Sequence, residues 1–311
     1  MSFPTIALND GNKKIPAIAF GTGSKFFRQD VTQYVDQALE SGFSHIDTAA
    51  VYGNEEFVGT AIRESGLDRS ELYITTKYDG GDIQESIRSS LDKLDVKSVD
   101  LYLIHFPRLV EHDFEGTWRQ IENIKEAGLA KSIGVSNFSL DDLKSVVKSA
   151  RIKPAVNQIR FHPYNFSSYK DVLEYSAKHG IVTEAYGSLA PITQFPNGSL
   201  DPVLATISKR VGGTPAQVIF KWVLAKGAVI VTTSSKTERL QEYLAVADLS
   251  DLTPEEVAAI DEAGAKGAPA SWRSLANVSV SFLLLLRIAV SLLFLGYVAL
   301  ASSKRSCSLI A

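Results

Sequence analysis

Eight short apolar runs, each followed by residues with helical spacing, constrain this chain more than any other feature. They are Ile18–Phe20, Phe43–Asp47, Leu72–Thr76, Val99–Ile104, Ser132–Val135, Ala155–Gln158, Ile181–Ala185 and Ala228–Val231. Between and after them lie patterns such as Val31–Glu40, Glu55–Glu64, Ile83–Leu94, Glu115–Ala127, Asp141–Ser149, Tyr169–Lys178 and Lys236–Ala245, with apolar residues three and four apart. Strands alternating with helices predict a parallel sheet of α/β class, and eight units predict closure into a (β/α)8 TIM barrel. Ahead of it, Thr5–Leu8 and Lys14–Pro16 flank Asn9-Asp10-Gly11-Asn12, the signal of an N-terminal β-hairpin. The rival fold, a doubly wound sheet, announces itself with GxGxxG after the first strand. Here Gly21-Thr22-Gly23 continues as Ser24-Lys25-Phe26, so that fingerprint is missing.

In a barrel, the chemistry gathers just past the strand ends. The polar groups so placed are Asp47, Lys77, His105, Ser136, Gln158, Tyr186 and Ser234. The stretch His45–Glu55, HIDTAAVYGNE, adds a phenol, Tyr52, close after Asp47. A phenol is a poor proton donor to a developing alkoxide unless its conjugate base is stabilised, and a nearby ammonium does that. The expected relay runs from Asp47 through Lys77 to Tyr52, with His105 hydrogen-bonding a substrate carbonyl from the other side. Taken singly, these residues have blander readings. Asp47 could cap a helix, and Lys77 could be a solvated strand end. His45, inside its strand, reads as a core histidine. No CxxC, HExxH or tight His/Asp cluster suggests a metal site.

The segments GTG at 21–23, HIDTAAVYGNE at 45–55, ITTK at 74–77, LYLIHFP at 101–107, GVSNF at 134–138, AVNQIRFHPY at 155–164, EAYGSL at 184–189 and TTSSKTERL at 232–240 resemble, in order, those of the aldo-keto reductases. The likeness covers roughly residues 3–265 and is nearest to the fungal branch that reduces conjugated polyketones and α-keto amides. It implies NADPH-dependent reduction of aldehydes or activated ketones, by a hydride from nicotinamide C4 to the carbonyl carbon. Tyr52 would be the proton donor, with Asp47, Lys77 and His105 completing a tetrad. Gly21, Thr22, Asp47, Ser136, Asn137, Gln158, Tyr186, Ser188 and Leu189 would contact the cofactor. Ser234, Ser235, Lys236 and Arg239 would clamp its adenosine phosphate. His105 and Phe106 would meet the substrate. Phe26 and Phe27 follow strand one at the catalytic rim, so by position each reads equally as a substrate contact or as packing. Phosphate sites after strands seven and eight are common in barrels, and a helix starting near Lys236 offers backbone N–H groups to an anion. Two cations there favour NADP over NAD. Several positions depart from the family's common pattern. Phe106 stands for a tryptophan, Arg160 for a glutamate, and Thr233 for the usual clamp lysine. Trp118 and Trp222, inside helical patterns, read as packing.

Composition narrows the partners. A net charge of −3 gives no general attraction to nucleic acid. The single cysteine, Cys307, excludes an internal disulfide framework and fits a reducing compartment. The N-terminus lacks an apolar h-region, so no secretory signal is expected. The reading is thus a monomeric barrel at 1–266, a linker at 267–277, an apolar segment at 278–301 and a polar tail at 302–311. On an insertion scale, the arginine at Arg287 costs about 2.5 kcal/mol or more, while the Leu, Ile, Val and Phe residues of Val280–Ala301 contribute roughly −4 to −8 kcal/mol together. The segment is long enough to span a bilayer. It would then anchor a cytoplasm-facing enzyme by its tail. The alternatives are a segment translated from an unspliced intron, a docking segment for a partner, a cover for the barrel's own pocket, or a soluble cytoplasmic protein. Two other functions compete with the reductase. One is a cofactor-binding sensor or accessory subunit of a membrane protein; the other is a Schiff-base lyase using Lys77.

Overall fold

The structure, a computed structural model, describes residues 3–11, 13–23 and 25–269. The chain divides into two units, Met1–Ala268 and Pro269–Ala311. The expected membrane segment at 278–301, the tail at 302–311 and Cys307 lie outside the described residues. Among the described residues, no helix is long and apolar enough to cross a membrane.

Strands β1 (Thr5–Ala7) and β2 (Lys14–Pro16) form the expected antiparallel hairpin, with Ile6 opposite Ile15. Eight parallel strands follow: β3 (Ile18–Gly21), β4 (His45–Asp47), β5 (Tyr73–Tyr78), β6 (Val99–Ile104), β7 (Ala130–Ser136), β8 (Val156–Arg160), β9 (Val182–Tyr186) and β10 (Val229–Thr232). They close in the order β10-β3-β4-β5-β6-β7-β8-β9. Closure leaves no unpaired barrel edge. The register decides the site: Gly21 lies opposite Asp47, Asp47 opposite Thr75, and Gln158 opposite both Ser136 and Glu184.

The first six helices are α1 (Thr32–Ser41), α2 (Glu55–Glu64), α3 (Ile83–Leu94), α4 (Phe114–Glu126), α5 (Leu140–Ser149) and α6 (Phe166–Lys178). Beyond β9 come the short α7 (Ala190–Thr193), then α8 (Leu200–Val211) and α9 (Pro215–Ala225). Helices α10 (Thr237–Leu244) and α11 (Pro254–Ala265) follow β10. Helix α3 shows why such segments fold as they do. Asp82 caps its N-terminus by accepting from the Glu85 N–H, and Ile83, Ile87, Leu91 and Leu94 bury one face against the barrel. Thr253 and Glu256 form a capping box for α11, which no predicted element covers.

The core lies between strands and helices. Trp118 and Trp222 are buried within it, as their helical positions suggest. The Trp222 ring stacks on Phe161 at 5.0 Å, and its indole N–H donates to Asp261 at 2.8 Å. A second apolar cluster, including Leu8, Ile15, Leu101, Leu103, Val156 and Val229, joins the hairpin to the barrel interior. The amino-terminal end of the barrel is thereby closed, and the chemistry is left to the other mouth.

Candidate active site

Alternate side chains of each barrel strand point inward, so residues near the carboxyl ends converge. From β5, Lys77 Nζ donates to Asp47 Oδ1 of β4 at 2.6 Å and to the Thr48 carbonyl at 2.9 Å. This ion pair is buried, with side chains 0% and 3% exposed. After Asp47 the chain turns through the short helix Ala50–Tyr52, closed by Gly53 at φ 64°. That turn carries Tyr52 back over the pair, with the Lys77 ammonium 5.2 Å from its ring centroid. Gly23 makes room for the phenol: a Cβ there would sit 2.9 Å from Tyr52 Cζ. His105, just past β6, presents its ring edge-on to Tyr52 with centroids 5.6 Å apart. The four expected catalytic residues therefore meet at one mouth.

Their electrostatics depart from expectation at Tyr52 and at His105. Burial alone would lower the Lys77 pKa, but Asp47, Tyr52 and Glu184 outweigh it and hold the ammonium well above the usual lysine range. A lysine so firmly charged is a poor Schiff-base nucleophile. Burial raises the Tyr52 phenol above its ordinary value; Lys77 lowers it, but not enough to offset burial. The phenol is therefore not made acidic, as the sequence reading expects, and stays protonated at neutral pH. What Lys77 contributes is a lower cost of forming phenolate in a site where burial opposes it.

Asp79, which no motif singles out, completes the group. Its Oδ1 lies 2.6 Å from His105 Nδ1, and its Oδ2 accepts from the Val51 N–H at 3.1 Å. Burial lowers the His105 pKa despite the opposing bond to Asp79. The neutral ring then keeps its proton on Nδ1, facing the carboxylate, and offers Nε2 as an acceptor. In that tautomer His105 cannot donate to a carbonyl, as the sequence reading expects of it, until it gains a second proton.

Beside the tetrad, Ser136 donates to the Gln158 carbonyl at 2.8 Å. Asn137, held at φ 62°, donates to the His105 carbonyl at 3.0 Å and accepts from the Tyr186 hydroxyl at 2.8 Å. The Gln158 side-chain amide donates to Asp47 Oδ2 at 2.8 Å and to Glu184 Oε2 at 2.7 Å. A cavity of about 660 Å³ runs past Gly21, Asp47, Tyr52, His105, Phe106, Asn137, Gln158, Tyr186, Ser188, Leu189 and Arg239. A further cavity of about 470 Å³ shares Leu189, Thr193, Arg239 and Tyr243 with it.

Other expected contacts fall elsewhere. Thr22 is buried, and its hydroxyl is spent on Thr48 at 2.9 Å. Phe26 does not reach the cavity: it is buried, stacked on Tyr34 at 4.4 Å, and cannot meet a substrate. Its neighbour Phe27, 44% exposed, lines the cavity instead. Asn54 sets this loop by donating to the Thr22 and Phe26 carbonyls at 2.9 and 3.1 Å. At the expected phosphate clamp, Ser234 accepts from the Lys236 N–H at 3.0 Å and so shapes the turn. Lys236 precedes α10 without a side-chain capping bond, which leaves first-turn N–H groups for another acceptor. Its side chain lines neither cavity; Lys25 reaches the clamp, donating to Ser235 at 2.8 Å. The buried Thr233 hydroxyl has no hydrogen-bond partner. A long groove lined by Asn137, Gln158, Arg239 and the orphaned Thr233 hydroxyl, with Lys25 at the neighbouring Ser235, fits a phosphorylated dinucleotide.

A closed parallel barrel with a phenol over a buried lysine–aspartate pair, and a long groove beside it, defines the class of barrel enzymes with the site at the carboxyl ends of the strands. The chain belongs to the aldo/keto reductase family, whose model matches residues 17–265. It is 40% identical over 267 residues to an aldo-keto reductase of Mycolicibacterium vanbaalenii, covering 84% of this chain and 92% of that protein. It is 37% identical to the NAD/NADP-dependent indole-3-acetaldehyde reductase of Schizosaccharomyces pombe, covering 82% and 92%. Among solved structures, an aldo/keto reductase from Brucella melitensis superposes with a TM-score of 0.76 at 35% identity, over 84% of this chain and 99% of that one. A Bombyx mori aldo-keto reductase in complex with NADP gives 0.77 at 32% identity, over 84% and 93%.

Proposed function

We propose that this chain reduces aldehydes or activated ketones to alcohols with NADPH. The buried Lys77–Asp47 pair beneath Tyr52 carries the reading. When bound, NADPH supplies the hydride. Tyr52 holds the proton for the carbonyl oxygen, and the adjacent ammonium stabilises the phenolate that remains. Asp47 keeps Lys77 charged and in place. Ser136, Asn137 and Gln158 would hold the carboxamide end of the cofactor, and Tyr186 would face its ring. Arg239, Lys25 and the turn at Ser234–Lys236 meet its phosphates, with Lys25 replacing the cation absent at Thr233. The cavity walls Phe27, Val51 and Phe106 favour a carbonyl with an apolar or aromatic substituent. The Gly187-Ser188-Leu189 and Thr232–Lys236 runs support kinship with the branch acting on conjugated polyketones and α-keto amides. NADPH oxidation against α-keto esters, polyketones, aldoses and aryl or aliphatic aldehydes tests the reading. Turnover of at least one class supports it. NADPH binding without turnover of any would make the chain a cofactor sensor instead.

A further inference from the structure

Glu184 sits on β9, two residues before Tyr186, and its side chain is turned into the barrel. It is fully buried, and the mechanism above does not use it. Its Oε2 accepts from the Gln158 amide, the same amide that donates to Asp47. Its Oε1 has no hydrogen-bond partner and lies 3.9 Å from His45 Nε2. That histidine nitrogen is already bonded to Thr75 Oγ1 at 2.9 Å. The groups facing Glu184 are therefore Asp47 and His45 from β4, Tyr73 and Lys77 from β5, and Gln158 from β8; β10 places Val229 opposite it.

The charges do not balance if every carboxyl ionises. Lys77 is the one cation among these groups, and Asp47 holds it at 2.6 Å. Glu184 would then be an uncompensated buried anion, which a protein interior avoids by taking up a proton. His45 does not relieve it, because burial lowers that imidazole to about 4. Burial and the Asp47 carboxylate push Glu184 the other way, up to about 8. With both N–H groups of Gln158 spent on carboxyls, the Gln158 carbonyl is the atom left to accept from a ligand.

We propose that Glu184 is a positioning residue of this site: as a neutral acid it pins the Gln158 amide with its carbonyl toward the cofactor, and its ionisation disables the site at alkaline pH. Loss of its proton to solvent puts two anions on one amide. It also draws on the Lys77 charge that Tyr52 relies on. The proposal rests on the cofactor reading above, so its test includes readouts that need no turnover. NADPH affinity and kcat/KM are measured from pH 6 to 10 on wild type, E184Q and E184A, with infrared spectra of the protein alone. In wild type, both quantities fall about tenfold between pH 7 and 9, as a single ionisation near 8 requires. E184Q, which keeps a neutral hydrogen-bonding group, loses that limb relative to its own value at pH 7. E184A, which removes the anchor, weakens NADPH binding at pH 7, and E184Q restores it. Wild type also loses a protonated-carboxyl infrared band over the same range, a band that E184Q lacks. An alkaline limb shared by wild type and E184Q, or no such band at pH 6, overturns the proposal. If the band and the binding limb are present but no carbonyl is reduced, the reductase reading fails while the role of Glu184 stands.

Discussion

Replacing Lys77 with methionine isolates the buried ion pair. The side chain is of similar length, so the loss is chiefly one of charge and of two hydrogen bonds, to Asp47 at 2.6 Å and Thr48 at 2.9 Å. Removing one partner of a buried pair leaves the other uncompensated and costs about 3–5 kcal/mol. For a unit of this size each kcal/mol shifts Tm by roughly 2–4 °C, so K77M should melt on the order of 6–20 °C below wild type. Asp47 then retains only the Gln158 amide as a side-chain partner, beside Glu184. The double variant K77M/D47N removes both charges, and it should recover a large part of the loss. Thermal and urea unfolding of wild type, both single variants and the double variant close the cycle. Near-additive losses, or a K77M Tm close to that of wild type, would refute the claim that these residues act as one buried unit.

Four further outcomes follow from the same geometry. Because the Glu184 carboxyl is raised from 4.5 to about 8, the folded state holds a proton that the unfolded chain has lost within that window. The Glu184 contribution to stability, read as the difference between wild type and E184Q in urea titrations at fixed pH, should therefore fall as pH rises from about 4.5 to about 8, by up to about 5 kcal/mol, although below about 6.5 the two histidines impose the opposite trend on the whole protein. His45 and His162 are both lowered to about 4 by burial, so the stability they confer is full above about 6.5 and is lost as pH falls toward 4; the urea midpoint should drop across that range. F26A should cost about 3–5 kcal/mol of stability as a core truncation, whereas F27A should change KM for the carbonyl substrate with little change in Tm. G23A drives a methyl against the Tyr52 ring, so it should reduce kcat more than it weakens NADPH binding, read from fluorescence quenching.

The barrel was legible because alternation of apolar runs and helical patterns is a repeated signal. Asp47, Lys77 and His105 were legible because each ends one of those runs. Tyr52 was legible as a phenol close after Asp47, but the turn that carries it over the ion pair depends on Gly53 and on room left by Gly23, which periodicity does not encode. Asp79 and Glu184 were not singled out, yet strand parity carries them. Asp79 lies two residues beyond Lys77 and Glu184 two before Tyr186, so each shares an inward face with a residue already under suspicion. Phe26 and Phe27 lie beyond the end of β3, where no periodicity says which ring turns inward; Tyr34 and Asn54 settle it through contacts distant in sequence. Lys25 reaches Ser235 from the far end of the sequence, a pairing that only the adjacency of β3 and β10 creates. Helix α11 was announced by Thr253-Pro254-Glu255-Glu256, a cap and first turn whose apolar face is too weak to stand out by periodicity.

In the proposed reaction one hydroxyl, that of Tyr52, delivers the proton. Removing that oxygen alone, as Y52F, and comparing single-turnover NADPH oxidation with NADPH affinity in the same preparation tests it most directly. Oxidation should fall by at least about a thousandfold, with affinity within about threefold of wild type. Oxidation by Y52F at a rate near that of wild type would contradict it.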